Sequence, residues 1–207
     1  MPQRRVWHHG WWAGATTVPS PNFGPRPTRE RITLAVLHSI SLPPGQYRGD
    51  AVRRLFTNRL DWDAHPYYAG IRGLQVSAHF FIRRSGRALQ FVSCDQRAWH
   101  AGVSMWRGRE TCNDWSVGIE LEGLEGEVFE AAQYRQLARL LQSLARHYPL
   151  VEAVGHEHVA PGRKADPGPG FDWPRLGHAL CHGGPRLPMI MAAERPGAQL
   201  RHNPGRS

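Results

Sequence analysis

The sequence lacks long hydrophobic runs and has few cysteines. No apolar stretch among its 207 residues approaches the roughly 20 residues that a membrane-spanning helix needs. The three cysteines are odd in number and widely spaced, which is typical of a reducing compartment rather than of a disulfide framework. The N-terminal residues contain no apolar segment with a small-residue cleavage site, as a secretory signal would. We therefore expect a cytoplasmic protein with no membrane association.

A dense basic stripe is also lacking, although the formal net charge is +9. Residues 1–31 carry +4 and residues 183–207 carry +3, which leaves only +2 for residues 32–182. Surfaces that bind nucleic acid concentrate lysine and arginine on one face, so this distribution argues against such a partner. Lys164 is the single lysine among 26 basic residues, which makes it a candidate functional residue.

What the sequence does contain is enough apolar material for one folded domain. Hydrophobic residues make up 41% of the chain and aromatic residues 10%. We expect residues 1–31 to be an extended lead-in, residues 32–182 to be the domain, and residues 183–207 to be a basic, disordered tail. Apolar patterning predicts strands at 32–38, 79–84, 88–92, 116–122 and 151–156, and helices at 50–56, 130–147 and 171–180. Because strands and helices do not alternate regularly, the prediction is a single α+β domain with a central mixed β-sheet flanked by helices.

Two histidines and one aspartate form a candidate metal site. His38 and His156 each end a predicted strand, and Asp166 follows in a loop rich in proline and glycine. Strand ends that lead into loops bring together side chains from distant parts of a chain. Two imidazoles and one carboxylate leave a fourth position open on zinc, as catalytic zinc sites do. The alternative that these are ordinary polar residues at loop starts stays open, because no HExxH or CxxC motif is present.

Two glutamates compete for the role of general base. In residues 116–122 polar and apolar side chains alternate, so Glu120 and Glu122 share one face of the predicted strand. Either carboxylate could take a proton from water beside a metal ion, and either could simply be exposed to solvent.

Lys164, two residues before Asp166, could stabilise an oxyanion that develops on an amide carbonyl, or be an ordinary surface lysine.

Some aromatic and histidine residues have weaker patterns. Trp99 could line a pocket and offer its ring face to a sugar or a peptide, although a tryptophan before a loop is as often part of the core. His79 opens a predicted hairpin strand and is expected to be a hydrogen-bonded structural histidine. His158 diverges from His156 on a strand and is expected to be peripheral to any metal site or exposed.

Ten short segments, collinear over about residues 10–176, carry a family resemblance. They are Val-Pro-Ser-Pro (18–21), Val-Leu-His-Ser-Ile-Ser-Leu-Pro-Pro-Gly (36–45), Leu-Phe-Thr (55–57), Ala-His-Pro (64–66), Val-Ser-Ala-His (76–79), Arg-Ala-Trp-His-Ala-Gly-Val-Ser (97–104), Gly-Arg-Glu-Thr-Cys-Asn-Asp (108–114), Gly-Ile-Glu-Leu-Glu-Gly (118–123), Gly-His-Glu-His-Val-Ala-Pro (155–161) and Lys-Ala-Asp-Pro-Gly-Pro (164–169). In these segments the chain resembles the AmpD-type N-acetylmuramoyl-L-alanine amidases. These are cytoplasmic zinc amidases related to phage T7-type lysozyme and to the peptidoglycan-recognition proteins.

The resemblance implies a specific zinc chemistry. It implies one zinc ion per chain held by His38, His156 and Asp166, with Glu120 as the base and Lys164 steadying the tetrahedral intermediate. The bond cut would join N-acetylmuramic acid, in its 1,6-anhydro form, to L-alanine in muropeptides during cytoplasmic peptidoglycan recycling. The muropeptide is the one partner implied, with no nucleic acid, membrane or obligate protein partner. A fragment sensor that binds without cutting is the alternative, and it would be expected to have lost a ligand or the base.

Substrate contacts are expected from Ser39, Trp99, His100 and Arg109. The chain departs from the enterobacterial pattern at four positions: Ser39 stands for an Asn, Gln75 and Thr111 stand for Arg residues, and His158 stands for an Asp. None of these is an implied metal ligand, base or lysine, so we expect the chemistry to be retained. We expect recognition of the peptide carboxylates to be weaker, or to move to Arg72 or Arg109.

Overall fold

A six-stranded mixed sheet organises the computed structural model, which describes residues 6–180 and 183–188. The strands in chain order are β1 Trp7–His8, β2 Trp11–Trp12, β3 Thr16–Thr17, β4 Phe23–Pro25, β5 Leu34–Ile40, β6 Phe80–Ile82, β7 Ala88–Gln90, β8 Gln96–Ala98, β9 Met105–Trp106, β10 Arg109–Glu110, β11 Ser116–Glu122 and β12 Glu152–Gly155. The helices are α1 Ala51–Phe56, α2 Pro66–Ala69, α3 Ala131–His147, α4 His156–Val159 and α5 Trp173–Leu180, and a 3-10 turn lies at Cys112–Asp114. Among the described residues no helix is long and apolar enough to cross a membrane.

The order of strands in the central sheet is β12–β5–β11–β6–β7–β3. Strands β12, β5, β11 and β6 are parallel neighbours, whereas β6 and β7 form an antiparallel hairpin. The predicted mixed sheet and the predicted hairpin are confirmed, although both hairpin strands are shorter than expected. Three short antiparallel pairs, β1–β2, β4–β8 and β9–β10, lie outside this sheet.

Strands β5 and β11 lie side by side in the sheet and are covered on both faces. All seven residues of β11 are buried, including Glu120 and Glu122. The alternation in this strand therefore does not separate a buried face from a solvent face. It separates an apolar face from a face that carries the buried polar side chains of Ser116, Glu120 and Glu122.

The apolar face of the sheet packs against helix α3. Leu137, Leu140, Leu141 and Leu144 recur at helical spacing and are fully buried, as the sequence pattern predicts. They join β5 and β11 side chains in one core, and α5 packs on α3. The helix begins where the backbone N–H of Glu130 donates to Gln133 Oε1 at 2.9 Å, a contact that satisfies one free donor at the helix end.

Helix α1 lies over a second core on the opposite face, built around Phe56, Phe81 and Phe91. Asp50 precedes α1, but its side chain does not cap the helix. Its carboxylate instead forms ion pairs with Arg53 and Arg83, although an aspartate immediately before a helix is typical of a side-chain N-cap.

The N-terminal lead-in is extended, as its composition suggests, yet it contributes to the main core. Trp7 and Trp12 are 9% and 5% exposed, and Trp7 Nε1 donates to Ser143 Oγ of α3 at 2.9 Å. In the predicted tail, residues 183–188 lie against the domain, with Leu187 buried in the same core. The prediction for residues 189–207 lies outside the described residues, and the division into three segments stays a prediction.

We predict that Trp7→Ala lowers the free energy of unfolding by about 3–5 kcal/mol, because it empties a buried indole site. The neighbouring His8 is exposed, so His8→Ala should change stability by less than about 0.5 kcal/mol. The free energy of unfolding of both variants is measured by urea unfolding. Far-UV circular dichroism is the signal, because it reports mainly on the backbone and does not depend on the fluorescence of Trp7. Equal stability of the two would contradict a structural role for the lead-in.

Candidate metal centre

Three potential metal ligands meet at one end of the parallel strands. His38 Nδ1 lies 2.9 Å from His156 Nδ1 and 3.0 Å from Asp166 Oδ2, and His156 Nδ1 lies 3.1 Å from the same carboxylate oxygen. All three residues are buried, at 2%, 3% and 6% exposure. The structure thus brings together the three residues that the sequence proposed as ligands.

The backbone explains how the three residues converge. Strand β5 continues for two residues beyond His38, because Ser39 and Ile40 still pair with β11. His156 is the first residue of α4, one position after β12 ends. The sequence predicts that each histidine ends its strand, whereas the observed strands end two residues after His38 and one residue before His156. The backbone N–H of Glu157 donates to the carbonyl of Asp166 at 3.0 Å, which fastens the Asp166 loop beside His156.

Hydrogen bonds fix the protonation of His156. Its Nε2 lies 3.1 Å from the carbonyl oxygen of Ala101, and a carbonyl can only accept, so Nε2 carries the proton of the neutral ring. The lone pair of His156 then lies on Nδ1 and faces His38 and Asp166.

The pKa values of His38 and Asp166 are both shifted toward the protonation states that bind a metal ion. Burial lowers the pKa of His38 to about 4, although Asp166 opposes this effect. Burial opposes ionisation of Asp166, but its contacts with the two histidines outweigh burial and lower its pKa. A neutral His38 imidazole and an ionised Asp166 carboxylate are therefore expected near pH 7.

These three groups fit a small divalent cation. Zinc binds imidazole and carboxylate at about 2.0–2.2 Å in tetrahedral geometry, which separates ligand atoms by roughly 3.3 Å. The observed separations of 2.9 to 3.1 Å are close to that value, so the three ligand atoms lie close enough to share one ion. Among the described residues this is the one cluster of three or more such groups with metal-binding spacing.

A buried glutamate adjoins the centre. Glu120 pairs in register with His38 across β11 and β5, so the two side chains project from the same face of the sheet. Its Oε2 is buried without a hydrogen-bond partner among the described residues. Burial, with a further contribution from Asp166, raises the pKa of Glu120 well above its ordinary value.

Glu122 shares this face but is fully engaged elsewhere. Its two oxygens accept the backbone N–H groups of Arg48 and Arg84, each at 2.9 Å. The structure therefore distinguishes the two glutamates, which the residue pattern alone leaves equivalent. Glu120 has an oxygen without a partner beside the metal centre, whereas Glu122 holds two loops.

The centre opens into a cleft of about 340 Å³. Its lining includes Ser39, Trp99, His100 and Lys164 as well as the metal-site residues. The remaining lining residues are Ile40, Ser41, Leu42, Leu55, Phe56, Tyr67, Ile71, Leu74, Val76, Ser77 and Glu125.

Arg109 is the predicted site residue that does not line this cleft. Its guanidinium pairs with Glu30 and stacks over Trp115 at 4.3 Å. Arg72, the other arginine considered for carboxylate recognition, pairs with Asp63 and also lies outside the cleft lining.

His100, which the sequence predicts as a substrate contact, lines the cleft and also contacts a proposed metal ligand. His100 Nδ1 lies 3.0 Å from His38 Nε2, and His100 Nε2 lies 3.3 Å from Ser116 Oγ. A Cβ atom at Gly118 would lie 2.3 Å from the His100 ring, so only glycine leaves room for it. No sequence spacing indicates this contact, because it depends on packing between remote segments.

The two other histidines behave largely as expected. His79 is buried and its Nδ1 accepts the backbone N–H of Gly118 at 3.0 Å, which confirms a structural role. His158 lies outside the ligand cluster, and its Nδ1 accepts the backbone N–H of Gly155 at 2.9 Å.

A buried carboxylate beside three metal-competent side chains, at the floor of an open cleft, is typical of mononuclear metallohydrolases. The sequence profile described as N-acetylmuramoyl-L-alanine amidase matches residues 28–169. The chain belongs to the N-acetylmuramoyl-L-alanine amidase family, as the resemblance predicts.

Individual relatives agree with this assignment. The chain is 52% identical over 169 residues to the 1,6-anhydro-N-acetylmuramyl-L-alanine amidase AmpD of Citrobacter freundii, a match that covers 81% of this chain and 90% of that protein. The AmpD of Escherichia coli strain K12 is also 52% identical over 169 residues, with 81% and 92% covered.

Solved structures give the same result. A crystal structure of a selenomethionine AmpD derivative superposes with a TM-score of 0.81 at 50% identity, covering 84% of this chain and 98% of that chain. The amidase AmiD of E. coli, in complex with anhydro-N-acetylmuramic acid-L-Ala-D-gamma-Glu-L-Lys, superposes with a TM-score of 0.54 at 30% identity, covering 72% of this chain and 57% of that chain. The predicted fold class is confirmed.

We predict that His79 stays neutral in the folded protein at mildly acidic pH. Burial, reinforced by Arg26, lowers its pKa to about 3, whereas an unfolded histidine titrates near 6.5. Its contribution to stability is therefore complete above about pH 6.5 and declines as the pH falls toward 3. NMR titration of the His79 ring should show a constant signal from about pH 8 to 5. A midpoint near 6.5 would contradict the burial of this ring.

Proposed function

We propose that this chain hydrolyses the amide bond between 1,6-anhydro-N-acetylmuramic acid and L-alanine in muropeptides. The observation that carries the proposal is the convergence of His38, His156 and Asp166 within 3.1 Å beside Glu120. The relatives named for this reaction, at 52% identity, supply the substrate class. We assign the reaction to peptidoglycan recycling in the cytoplasm; the cysteine content is typical of a reducing compartment, and the relatives are named for an anhydro-muramyl substrate.

We assign one zinc ion per chain to His38 Nδ1, His156 Nδ1 and Asp166. Two imidazoles and a carboxylate are ligands that zinc favours, and three protein ligands leave a position for substrate or water. When bound, zinc supplies Lewis acidity for the scissile carbonyl and the attacking water.

Glu120 is proposed as the proton carrier. Its unpartnered Oε2 is free to accept a proton from the attacking water and then to deliver it to the nitrogen of the departing L-alanine. A raised pKa suits the second half of this task, and the positive charge of Lys164, which lowers that pKa, favours the ionised form that the first half requires.

Lys164 and the cleft walls are proposed to hold the substrate. The ammonium group of Lys164 is positioned to stabilise the oxyanion that develops on the amide carbonyl. Tyr67, Leu74 and Trp99 line the cleft and offer apolar surface to the sugar and its lactyl arm. Ser39 Oγ, buried without a partner among the described residues, is available for a hydrogen bond to the substrate.

Arg109 is not retained as a substrate contact, because its guanidinium is held by Glu30 and Trp115. No arginine lines the described cleft, so we propose that Lys164 is the cation nearest the peptide. The muropeptide is the proposed partner.

We predict that purified protein releases free stem peptide from 1,6-anhydro-muropeptide, detected by mass spectrometry. Exhaustive chelation should abolish the release, and added zinc should restore it, because the centre has no other Lewis acid. Product that survives chelation would contradict the zinc mechanism. Binding of intact substrate without product would instead favour the fragment sensor.

We predict that Glu120→Gln lowers kcat by about 10²- to 10⁴-fold, the usual contribution of a general acid–base group. Zinc content should stay near the wild-type level, because Glu120 is not a proposed ligand. The matched control is Glu122→Gln on the same strand face; Glu122 contacts backbone N–H groups of two loops rather than the metal centre, so this variant should keep kcat per folded molecule near wild type. Equal loss in both variants, or loss of zinc with Glu120→Gln, would contradict the assignment.

A further inference from the structure

The two proposed histidine ligands differ in what holds their outer nitrogen. His156 uses Nε2 to donate to a backbone carbonyl, that of Ala101, which is a common support for a metal-binding histidine. His38 places Nε2 3.0 Å from Nδ1 of another side chain, His100. The metal-binding and proton-transfer roles assigned above do not use this second imidazole.

The direction of the hydrogen bond follows from the centre. His38 Nδ1 faces His156 Nδ1 and Asp166 Oδ2, so a lone pair is needed there for it to act as a ligand. The proton of the neutral His38 ring then lies on Nε2, which donates to His100 Nδ1. His100 in turn carries its own proton on Nε2, which lies 3.3 Å from Ser116 Oγ.

Packing holds the His100 ring in this orientation. Asn113 Oδ1 accepts the backbone N–H groups of His100 and Ala101 at 3.2 and 2.9 Å. The ring lies directly over Gly118, where a Cβ atom would approach it to 2.3 Å. The His79 ring packs at its side, with centroids 5.7 Å apart.

We propose that His100 is a positioning residue that holds His38 in the Nε2-protonated tautomer and so presents Nδ1 to the metal. This inference rests on the proposed function and deepens it. Because the acceptor is a neutral imidazole rather than a carboxylate, it orients the ligand without adding negative charge next to the metal. His100 thereby acts through His38 rather than through the substrate.

A matched pair of variants isolates the acceptor. Asparagine can place an oxygen near the position of histidine Nδ1, whereas leucine has nearly the same shape as asparagine and no acceptor. We expect His100→Leu to weaken zinc binding about 10- to 100-fold, the usual cost of losing such a support. His100→Asn should keep an affinity close to wild type. Affinity is measured by competition with a chromogenic chelator, independently of turnover.

NMR of the metal-free protein provides the second measurement. The ¹⁵N shifts of His38 should show a proton on Nε2 in the wild type and in His100→Asn, and a mixture of tautomers in His100→Leu. Gly118→Ala, which crowds the ring without removing an imidazole, should shift zinc affinity in the same direction as His100→Leu.

The outcomes separate this inference from the proposed function. If the wild-type chain binds no zinc, the proposed function fails. If the wild type binds zinc but His100→Leu and His100→Asn have equal affinities, the positioning role is overturned. If His100→Leu does not fold, the NMR spectrum of the wild type is sufficient as a test. A His38 proton on Nδ1 in that spectrum would overturn the positioning role.

Discussion

The mutual approach of three electron-rich atoms from His38, His156 and Asp166 is the constraint on which the rest of the structure depends. Two buried imidazoles and a buried carboxylate place their ligand atoms 2.9 to 3.1 Å apart, and taking such polar groups out of water is costly unless they are paired. The surrounding fold therefore has to hold them in place. Parallel pairing of β12, β5 and β11 does this for the two histidines, and the contact between Glu157 and the Asp166 loop does it for the carboxylate.

The support extends outward in layers from this point. One histidine is oriented by a main-chain carbonyl and the other by the His100 ring, which itself requires the absence of a side chain at Gly118. On the other face, the leucines of α3 fill the core under the same strands. The N-terminal Trp7 closes that core from a segment distant in sequence. The reactive face and the apolar face are thus two sides of one sheet.

Much of this arrangement could be predicted from sequence, for physical reasons. The apolar run before His38 and the helical spacing of Leu137 to Leu144 are local patterns, and local patterns fix element type. The alternation in β11 places Glu120 and Glu122 correctly on one face. It cannot separate them, because that depends on backbone donors at Arg48 and Arg84, which reach Glu122 through tertiary folding. The His100 contact and the pairing of Arg109 with Glu30 are likewise long-range and invisible to spacing.

The central claim is that one zinc ion is held by two imidazoles and a carboxylate. X-ray absorption spectroscopy of the zinc-loaded protein tests it most directly. The account predicts one equivalent of zinc with nitrogen and oxygen neighbours at about 2.0–2.2 Å and multiple scattering from two imidazoles, and loss of stoichiometric zinc in His38→Ala and His156→Ala. Sulfur neighbours, or an unchanged spectrum in either variant, would contradict it.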